Sequence, residues 1–244
     1  MGPTFAKRRA ELRGLLATAG ALGLLAFVAD YVDGAAGQIM VALTSSGFAW
    51  SLAAFLAGRY APTARRAAAV GASLLVLATA VYYLLILVVS RRWSGGYSSD
   101  IGWADLPGLR SVGVMTSLWM VGSLVAGPIL GLLGHAVRAS AARPAAAGLG
   151  VACGLLSAEG WHAFVRTPPW RLLTVDDPFF GGAVVADMVR VVLPLLVLAW
   201  VATELRLWRP WPTLLTATAA ATAAGAALWE AVDLVRRSGG FGFV

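Results

Sequence analysis

Long apolar runs, broken only by short stretches that carry charge, are the dominant feature of this chain of 244 residues. Apolar residues make up 59% of the sequence and charged residues 13%, against roughly 45–50% and 25% in soluble domains. A water-soluble fold of this size has to cover itself with polar side chains, and this chain has too few of them. The mean hydropathy of +0.77 therefore favours a lipid bilayer as the solvent.

Seven apolar segments approach the length of about 20 residues that a helix needs to cross a bilayer. They cover residues 13–33, 37–60, 66–90, 111–137, 145–165, 180–204 and 213–235. The first half of the second segment is polar enough to be a re-entrant or interfacial piece instead. We expect an all-α fold: a polytopic transmembrane helical bundle of about seven spans over residues 13–235, between a basic tail (1–12) and a short C-terminal tail (236–244).

The distribution of Lys and Arg indicates the orientation of this bundle. With the N-terminus in the cytoplasm, the inner segments carry eleven of these residues and the outer segments seven, and Arg190 lies within a span. The tail AKRRAELR and the loop YAPTARR are the strongest inner markers. We predict a multi-pass protein of the cell membrane with a cytoplasmic N-terminus. A cleaved signal peptide fits less well, because the first apolar stretch is long and ends in ADYVDG.

Residue counts exclude several classes of chemistry. A single Cys, Cys153, allows neither an intrachain disulfide nor a two-thiol relay, and the only Lys, Lys7, is too near the N-terminus for a buried Schiff base. Two histidines are too few for a bis-His haem bundle with a second site or for multi-His di-iron boxes. We expect no metal and no cofactor. The net charge of +7 is spread between apolar runs, so no nucleic-acid partner is predicted.

Three stretches of the chain carry a family resemblance. They are SSGFAWSLAAFLAGRYAPTARRAAAVGASLLVLATAVYY, SLWMVGSLVAGPILGLLGHAVR and GVACGLLSAEGWHAF. Over roughly residues 45–165 the chain resembles an uncharacterised family of actinobacterial multispanning membrane proteins, known as a domain of unknown function. The resemblance implies a membrane location and a bundle of several helices, and it carries over no catalytic role.

Four pairs of ionisable residues lie within the predicted spans at positions i and i+3, which puts both members of each pair on one helix face. The pairs are Asp30 with Asp33, Glu159 with His162, Asp187 with Arg190, and Glu230 with Asp233. In the predicted topology, all four lie near the outer boundary. An ionisable group inside an inserted helix costs roughly 2.5 to 3.5 kcal/mol, so these side chains are expected to face protein or water.

Six tryptophans collect near the same boundary: Trp93, Trp103, Trp119, Trp161, Trp170 and Trp229. We therefore predict an acidic, Trp-rich pocket near the outer leaflet. Its catalytic candidates are Glu159, Glu230, His162 and Asp187, and its substrate-binding candidates are Trp161, Trp229, Trp119, Asp30, Arg190 and Asp233. The plainer alternative is an aromatic belt, with acids that reach the interface and an Asp187–Arg190 ion pair that lowers the cost of insertion.

Two functional classes fit such a pocket. An intramembrane enzyme would use a carboxylic acid to protonate a lipophilic, isoprenoid-like substrate, with Trp faces stabilising a carbocation. Small integral-membrane terpene cyclases are similar in size and number of spans, although the acid motif of their early spans has no counterpart here. A proton-coupled small-molecule transporter would use Glu159 or Glu230 as its proton site, and a non-enzymatic accessory protein is a third alternative.

We favour the enzyme, because the polar groups gather at one level and do not form a chain across the membrane. The expected partners are the lipid bilayer and a lipophilic small molecule. The sequence does not indicate an oligomeric state.

Reporter fusions test the predicted topology. Seven crossings place a reporter at Arg143 in the cytoplasm and a reporter at the C-terminus outside. Two cytoplasmic reporters would mean six or eight crossings, and they would remove the basis for an outer cluster of acids.

Overall fold

The computed structural model describes residues 3–45, 47–91, 93–94, 105–172 and 178–238, and every regular element in these ranges is helical. The helices are α1 (Pro3–Ala29), α2 (Gly34–Met40), α3 (Gly47–Tyr60), α4 (Ala64–Leu85), α5 (Asp105–Ala139), α6 (Ala142–Arg166), α7 (Pro169–Leu172), α8 (Pro178–Glu204) and α9 (Trp211–Ser238). Two π-helical turns, Val41–Ser45 and Ile86–Ser90, extend α2 and α4. The prediction of an all-α fold is confirmed.

Five helical segments among the described residues are long and apolar enough to cross a membrane. They are Arg9–Ala29, Gly34–Tyr60, Ala64–Ser90, Gly108–Ala139 and Phe180–Glu204. This set is smaller than the seven predicted spans, because α6 and α9 do not belong to it. Charged residues lie in the C-terminal part of both helices, and much of the remaining α9 sequence is Ala and Thr. The five helices support a membrane-embedded protein.

Polar side chains in the second apolar segment bond to backbone carbonyl groups inside the bundle. In the π-helical turn, Thr44 donates to the carbonyl of Met40 at 2.8 Å, and Ser45 donates to the carbonyl of Ala26 on α1 at 3.1 Å. The indole of Trp50 donates to the carbonyl of Thr44 at 2.6 Å. These bonds satisfy polar groups that lipid would leave unpaired. The segment considered as a re-entrant or interfacial piece is therefore helical and continues towards α3.

Helix α6 lies between two groups of helices. On one side, α1 packs on α4 and α4 on α5, with α3 against both α4 and α5. On the other side, α6 packs along α8 and α9. Helix α2 contacts α8 and links the two groups.

Contacts between the ends of the helices define two opposite ends of the bundle. The basic end comprises residues 9–13, 59–66, 135–143 and 204–211, and the acidic end comprises residues 30–33, 82, 119, 159–166, 187–190 and 229–233. The basic end is joined by the pairs Arg66 with Glu11 and Arg59 with Glu204. The acidic end corresponds to the boundary that the sequence predicts to be the outer one.

Glycines let the helix backbones touch. A Cβ atom built on Gly131 of α5 would overlap the carbonyl oxygen of Ala67 on α4, and one built on Gly58 of α3 would overlap the backbone of Gly131. Helices that lack a hydrophobic driving force in lipid associate through such close contacts. The α3–α4–α5 group is therefore held by backbone proximity as well as by side chains.

The substitution Gly131→Ala tests this contact, with Gly113→Ala on the same helix as its control. The first places a methyl group against the α4 backbone and is expected to destabilise the protein by roughly 1–3 kcal/mol. The second places a methyl group in open space, where Ala is a better helix former than Gly by about 1 kcal/mol. Thermal unfolding of the purified protein in detergent should show a lower melting temperature only for Gly131→Ala. Equal shifts of the melting temperature in both variants would contradict the contact between Gly131 and the α4 backbone.

Candidate functional site

Arg190 of α8 lies between two carboxylates at the acidic end. Its Nη1 atom donates to Oδ1 of Asp187 at 2.7 Å, and its Nε atom lies 3.5 Å from Oε1 of Glu159 on α6. We call these three residues the Arg190 cluster; their side chains are between 14% and 23% exposed. The Asp187–Arg190 ion pair weighed from the i, i+3 spacing is present, and Glu159 joins it from the neighbouring helix.

The backbone of α6 leaves room for this cluster at Gly160. A Cβ atom built on Gly160 would lie 2.9 Å from Cβ of Arg190 and 2.7 Å from a methyl carbon of Val191. The small residue beside Glu159 therefore brings α8 close enough for the arginine to reach the α6 carboxylate. The Nε atom of Arg190 is buried and has no hydrogen-bond partner within the described residues, because the carboxylate of Glu159 is too distant for a good bond.

A second cluster joins α6 to α9. The Nε2 atom of His162 lies 2.9 Å from Oε2 of Glu230, and Arg166 donates to Oε1 of the same carboxylate at 2.9 Å. Asp233 places Oδ2 at 3.9 Å from both His162 and Arg166. We call these four residues the His162 cluster. The imidazole is 12% exposed and Glu230 is 40% exposed, so the histidine lies inward and the carboxylate nearer the surface.

Helical spacing explains the composition of the His162 cluster. His162 and Arg166 are four residues apart on α6, and Glu230 and Asp233 are three apart on α9, so each helix presents two groups on one face. The sequence assigns Arg166 to an outer loop, yet it lies within α6 and pairs with Glu230. The spacing of four from His162 is the signal by which sequence alone would have found it.

The two members of the Glu159–His162 pair contact different helices, contrary to the expectation of a shared face. Residues three apart on a helix differ by roughly 60° in direction. Helix α6 has α8 on one side and α9 on the other. Because of this difference in direction, Glu159 contacts Arg190 on α8 and His162 contacts Glu230 on α9. The ion pairs thus group the predicted site residues into two ionic clusters, one between α6 and α8 and one between α6 and α9.

The tryptophans do not form one group either. Trp119 of α5 contacts Trp229 of α9, with ring centroids 6.4 Å apart, and Trp119 also packs against the apolar cluster formed by Phe27, Tyr83 and Ile86. This pair links α9, beside Glu230, to the α1–α4–α5 group. Trp161 is exposed and contacts Phe164.

The remaining boundary tryptophans have other surroundings. Trp93 donates to the carbonyl of Leu87 at 3.0 Å, and Trp170 is exposed. Trp103 lies outside the described residues.

Asp30 and Asp33 differ in their surroundings. Asp30 accepts a hydrogen bond from the hydroxyl group of Tyr82 on α4 at 2.8 Å. Tyr82 in turn packs edge-on against Trp50 and Tyr83. Asp33 precedes α2 and is exposed, without a side-chain capping bond. Asp30 therefore belongs to a polar contact between α1 and α4, and Tyr82 is a partner that the sequence does not indicate.

The basic end contains a charge pair that the sequence does not suggest. Arg59 of α3 is buried, and its Nη2 atom lies 3.6 Å from Oε2 of Glu204. Arg138 donates to the carbonyl of Ala61 at 2.8 Å, and a ring nitrogen of His135 lies 3.2 Å from the same oxygen. From sequence, Arg59 counts only as an orientation marker. In the structure, it forms an ion pair that connects the end of α3 to the end of α8.

The chemistry available at the two clusters is ionic and acid–base. Within the described part of the chain, no group of three or more His, Cys, Asp and Glu side chains is arranged to hold a metal ion. Comparisons with protein-family models, with curated proteins and with solved structures find no match to the chain. The geometry of the two clusters is therefore the guide to function.

The substitution Arg190→Met tests how strongly the Arg190 cluster holds α8 to α6, with Arg166→Met as the matched change in the other cluster. Removing Arg190 takes the positive charge from beside two largely covered carboxylates, and the loss of stability is expected to be roughly 3–5 kcal/mol. Arg166 is 35% exposed, so water replaces it more readily and the loss is smaller. Adding Asp187→Asn to Arg190→Met should recover part of the lost melting temperature. Equal losses of stability for Arg190→Met and Arg166→Met would contradict the stronger role of the Arg190 cluster.

Proposed function

We propose that this protein is a seven-span protein of the cell membrane, with a cytoplasmic N-terminus and the acidic end at the outer leaflet. Support comes from the contacts of α6 and α9, which run side by side from Gly150 and Leu214 near one end to His162 and Glu230 at the other. Helices that accompany the five apolar helices over this length cross with them. The basic end has the Arg excess expected of a cytoplasmic face. The resemblance to the actinobacterial multispanning family belongs to the same proposal.

At the acidic end, the proposed activity is acid–base catalysis on a lipophilic, isoprenoid-like molecule by the His162 cluster. The observation that carries this proposal is the 2.9 Å contact between His162 and Glu230. Imidazole is the side chain that gains and loses a proton near neutral pH, and a carboxylate partner orients the ring for that task. His162 is the acid–base group in this proposal, and Glu230 is the residue that positions it.

The role of the other acids differs from the one predicted from sequence. Glu159 and Asp187 both face Arg190, and an arginine remains charged at any physiological pH. These two carboxylates serve as counter-ions that hold α8 against α6, and they do not act as proton donors in this proposal. Trp229, which lies on α9 directly before Glu230 and contacts Trp119, provides an apolar surface for the lipophilic part of the substrate.

A proton-coupled transporter is the second candidate, because His162 lies between two acidic side chains that belong to another helix. A proton taken up by the imidazole would strengthen its attraction to Glu230 and Asp233 and so change the contact between α6 and α9. The same four residues serve both candidates. The difference between them is whether the bound molecule is chemically altered or moved.

The substitution His162→Gln tests the proposed activity, with His135→Gln at the basic end as the matched control. The molecules that co-purify with each variant are identified by mass spectrometry and then supplied to the protein in detergent. Wild-type protein and His135→Gln are expected to retain an isoprenoid-like lipid and convert it. His162→Gln should bind the lipid but convert it at least about 100-fold more slowly, the lower range for a lost general acid–base group.

Two results would contradict the enzyme. If the lipid is never altered and His162→Gln abolishes pH-driven uptake of a water-soluble solute into liposomes, the protein is a transporter. If neither the wild-type protein nor any variant converts or transports a molecule, at unchanged melting temperature, the cluster has no such role and an accessory function remains.

A further inference from the structure

The turn between α8 and α9 (residues 205–210) projects positive charge and aromatic rings from the basic end. Arg206 and Arg209 are exposed, and within the described residues the side chain of neither forms an ion pair or a hydrogen bond. Trp208 and Trp211 beside them are 46% and 56% exposed. Tryptophan with arginine is the combination that marks a membrane boundary, because the ring lies at the headgroup level while the charge reaches the phosphates.

Backbone hydrogen bonds within this turn and one buried leucine hold its conformation. The amide of Arg206 donates to the carbonyl of Thr203, and the amide of Leu207 donates to the carbonyl of Ala202 at 2.8 Å. These two bonds form the Schellman motif that ends many helices. Leu207 is buried in the main apolar core beside Leu214, so Arg206 and Trp208 on either side of it are turned outwards.

Arg206 occupies the position of this motif that usually contains glycine. Its φ angle is +54°, in the left-handed region that a side chain disfavours. An arginine in this backbone conformation lowers the local stability of the turn. Its presence there is therefore consistent with a function of its side chain. The indole of Trp208 donates to the hydroxyl of Thr203 at 3.0 Å, which fixes one ring beside this arginine.

The acids of the basic end do not neutralise these arginines. Glu204, the nearest in sequence, lies 3.6 Å from Arg59, and Glu11 pairs with Arg66. The described side chains of this end include no further acid. An anion that binds at the turn therefore meets two guanidinium groups that form no ion pair with these acids.

We propose that the α8–α9 turn binds the headgroup of an anionic phospholipid. Arg206 and Arg209 contact the phosphate through charge-assisted hydrogen bonds, and Trp208 and Trp211 lie against the glycerol and upper acyl region. The exposed rings favour a lipid over a free anion, because free phosphate has no apolar part to cover them. This inference depends on the membrane insertion of the bundle and is independent of any chemistry at His162.

Native mass spectrometry of the full chain in detergent tests the proposal with phosphatidylglycerol and phosphatidylcholine as probes. The double variant R206Q/R209Q is compared with R9Q/R13Q, which removes two exposed arginines from the same end. Wild type and R9Q/R13Q are expected to retain phosphatidylglycerol in preference to phosphatidylcholine. The R206Q/R209Q variant should bind phosphatidylglycerol about 10-fold more weakly, because it lacks the charge-assisted hydrogen bonds of both arginines to the phosphate.

The substitution Arg206→Gly separates lipid binding from folding. Glycine fits the left-handed position, so the melting temperature without lipid should stay equal or rise while phosphatidylglycerol binding falls. Equal losses in R206Q/R209Q and R9Q/R13Q would mean general charge attraction and would overturn the site. Stabilisation by inorganic phosphate as strong as that by phosphatidylglycerol would also overturn it, in favour of a soluble anion.

Discussion

Contact between helix backbones at the glycines of α6 is the interaction on which the rest of the structure depends. Gly150 and Gly154 lie against the α9 backbone, and Gly160 lies against α8. In a bilayer, apolar side chains gain little by leaving lipid for each other, so helices associate where small residues permit close packing. This packing sets the register of α6 with both neighbours, and the ionic clusters follow from that register.

The two ends of the bundle use their charges differently. At the acidic end, carboxylates of α6 and α9 are paired across helix interfaces with Arg190, Arg166 and His162. At the basic end, Arg59 is buried against Glu204, while the arginines of the α8–α9 turn are left for groups outside the chain. We infer that chemistry on a bound molecule belongs to the acidic end and contact with lipid headgroups to the basic end.

Much of the fold is accessible from hydropathy. The all-α class, the helical segments and the Asp187–Arg190 ion pair follow from patterns local to one stretch of chain, where the helical period determines which side chains share a face. The same patterns predict seven spans, whereas five helical segments among the described residues are long and apolar enough to cross a membrane. They also place Arg59 and Arg166 in loops or at the membrane boundary and do not indicate their ion pairs. The reason is that the burial of a helix end depends on which helix lies beside it.

By itself, the sequence determined that this chain has helices suited to a bilayer and that its acids recur at helical spacing near one boundary. Only the tertiary structure decided which side chain each acid contacts. Glu159 and His162 are only three residues apart on α6. Because α6 lies between α8 and α9, Glu159 pairs with Arg190 and His162 pairs with Glu230. The physical reason is that helical periodicity sets direction around one axis, whereas partners depend on the rotation and register of several helices packed together.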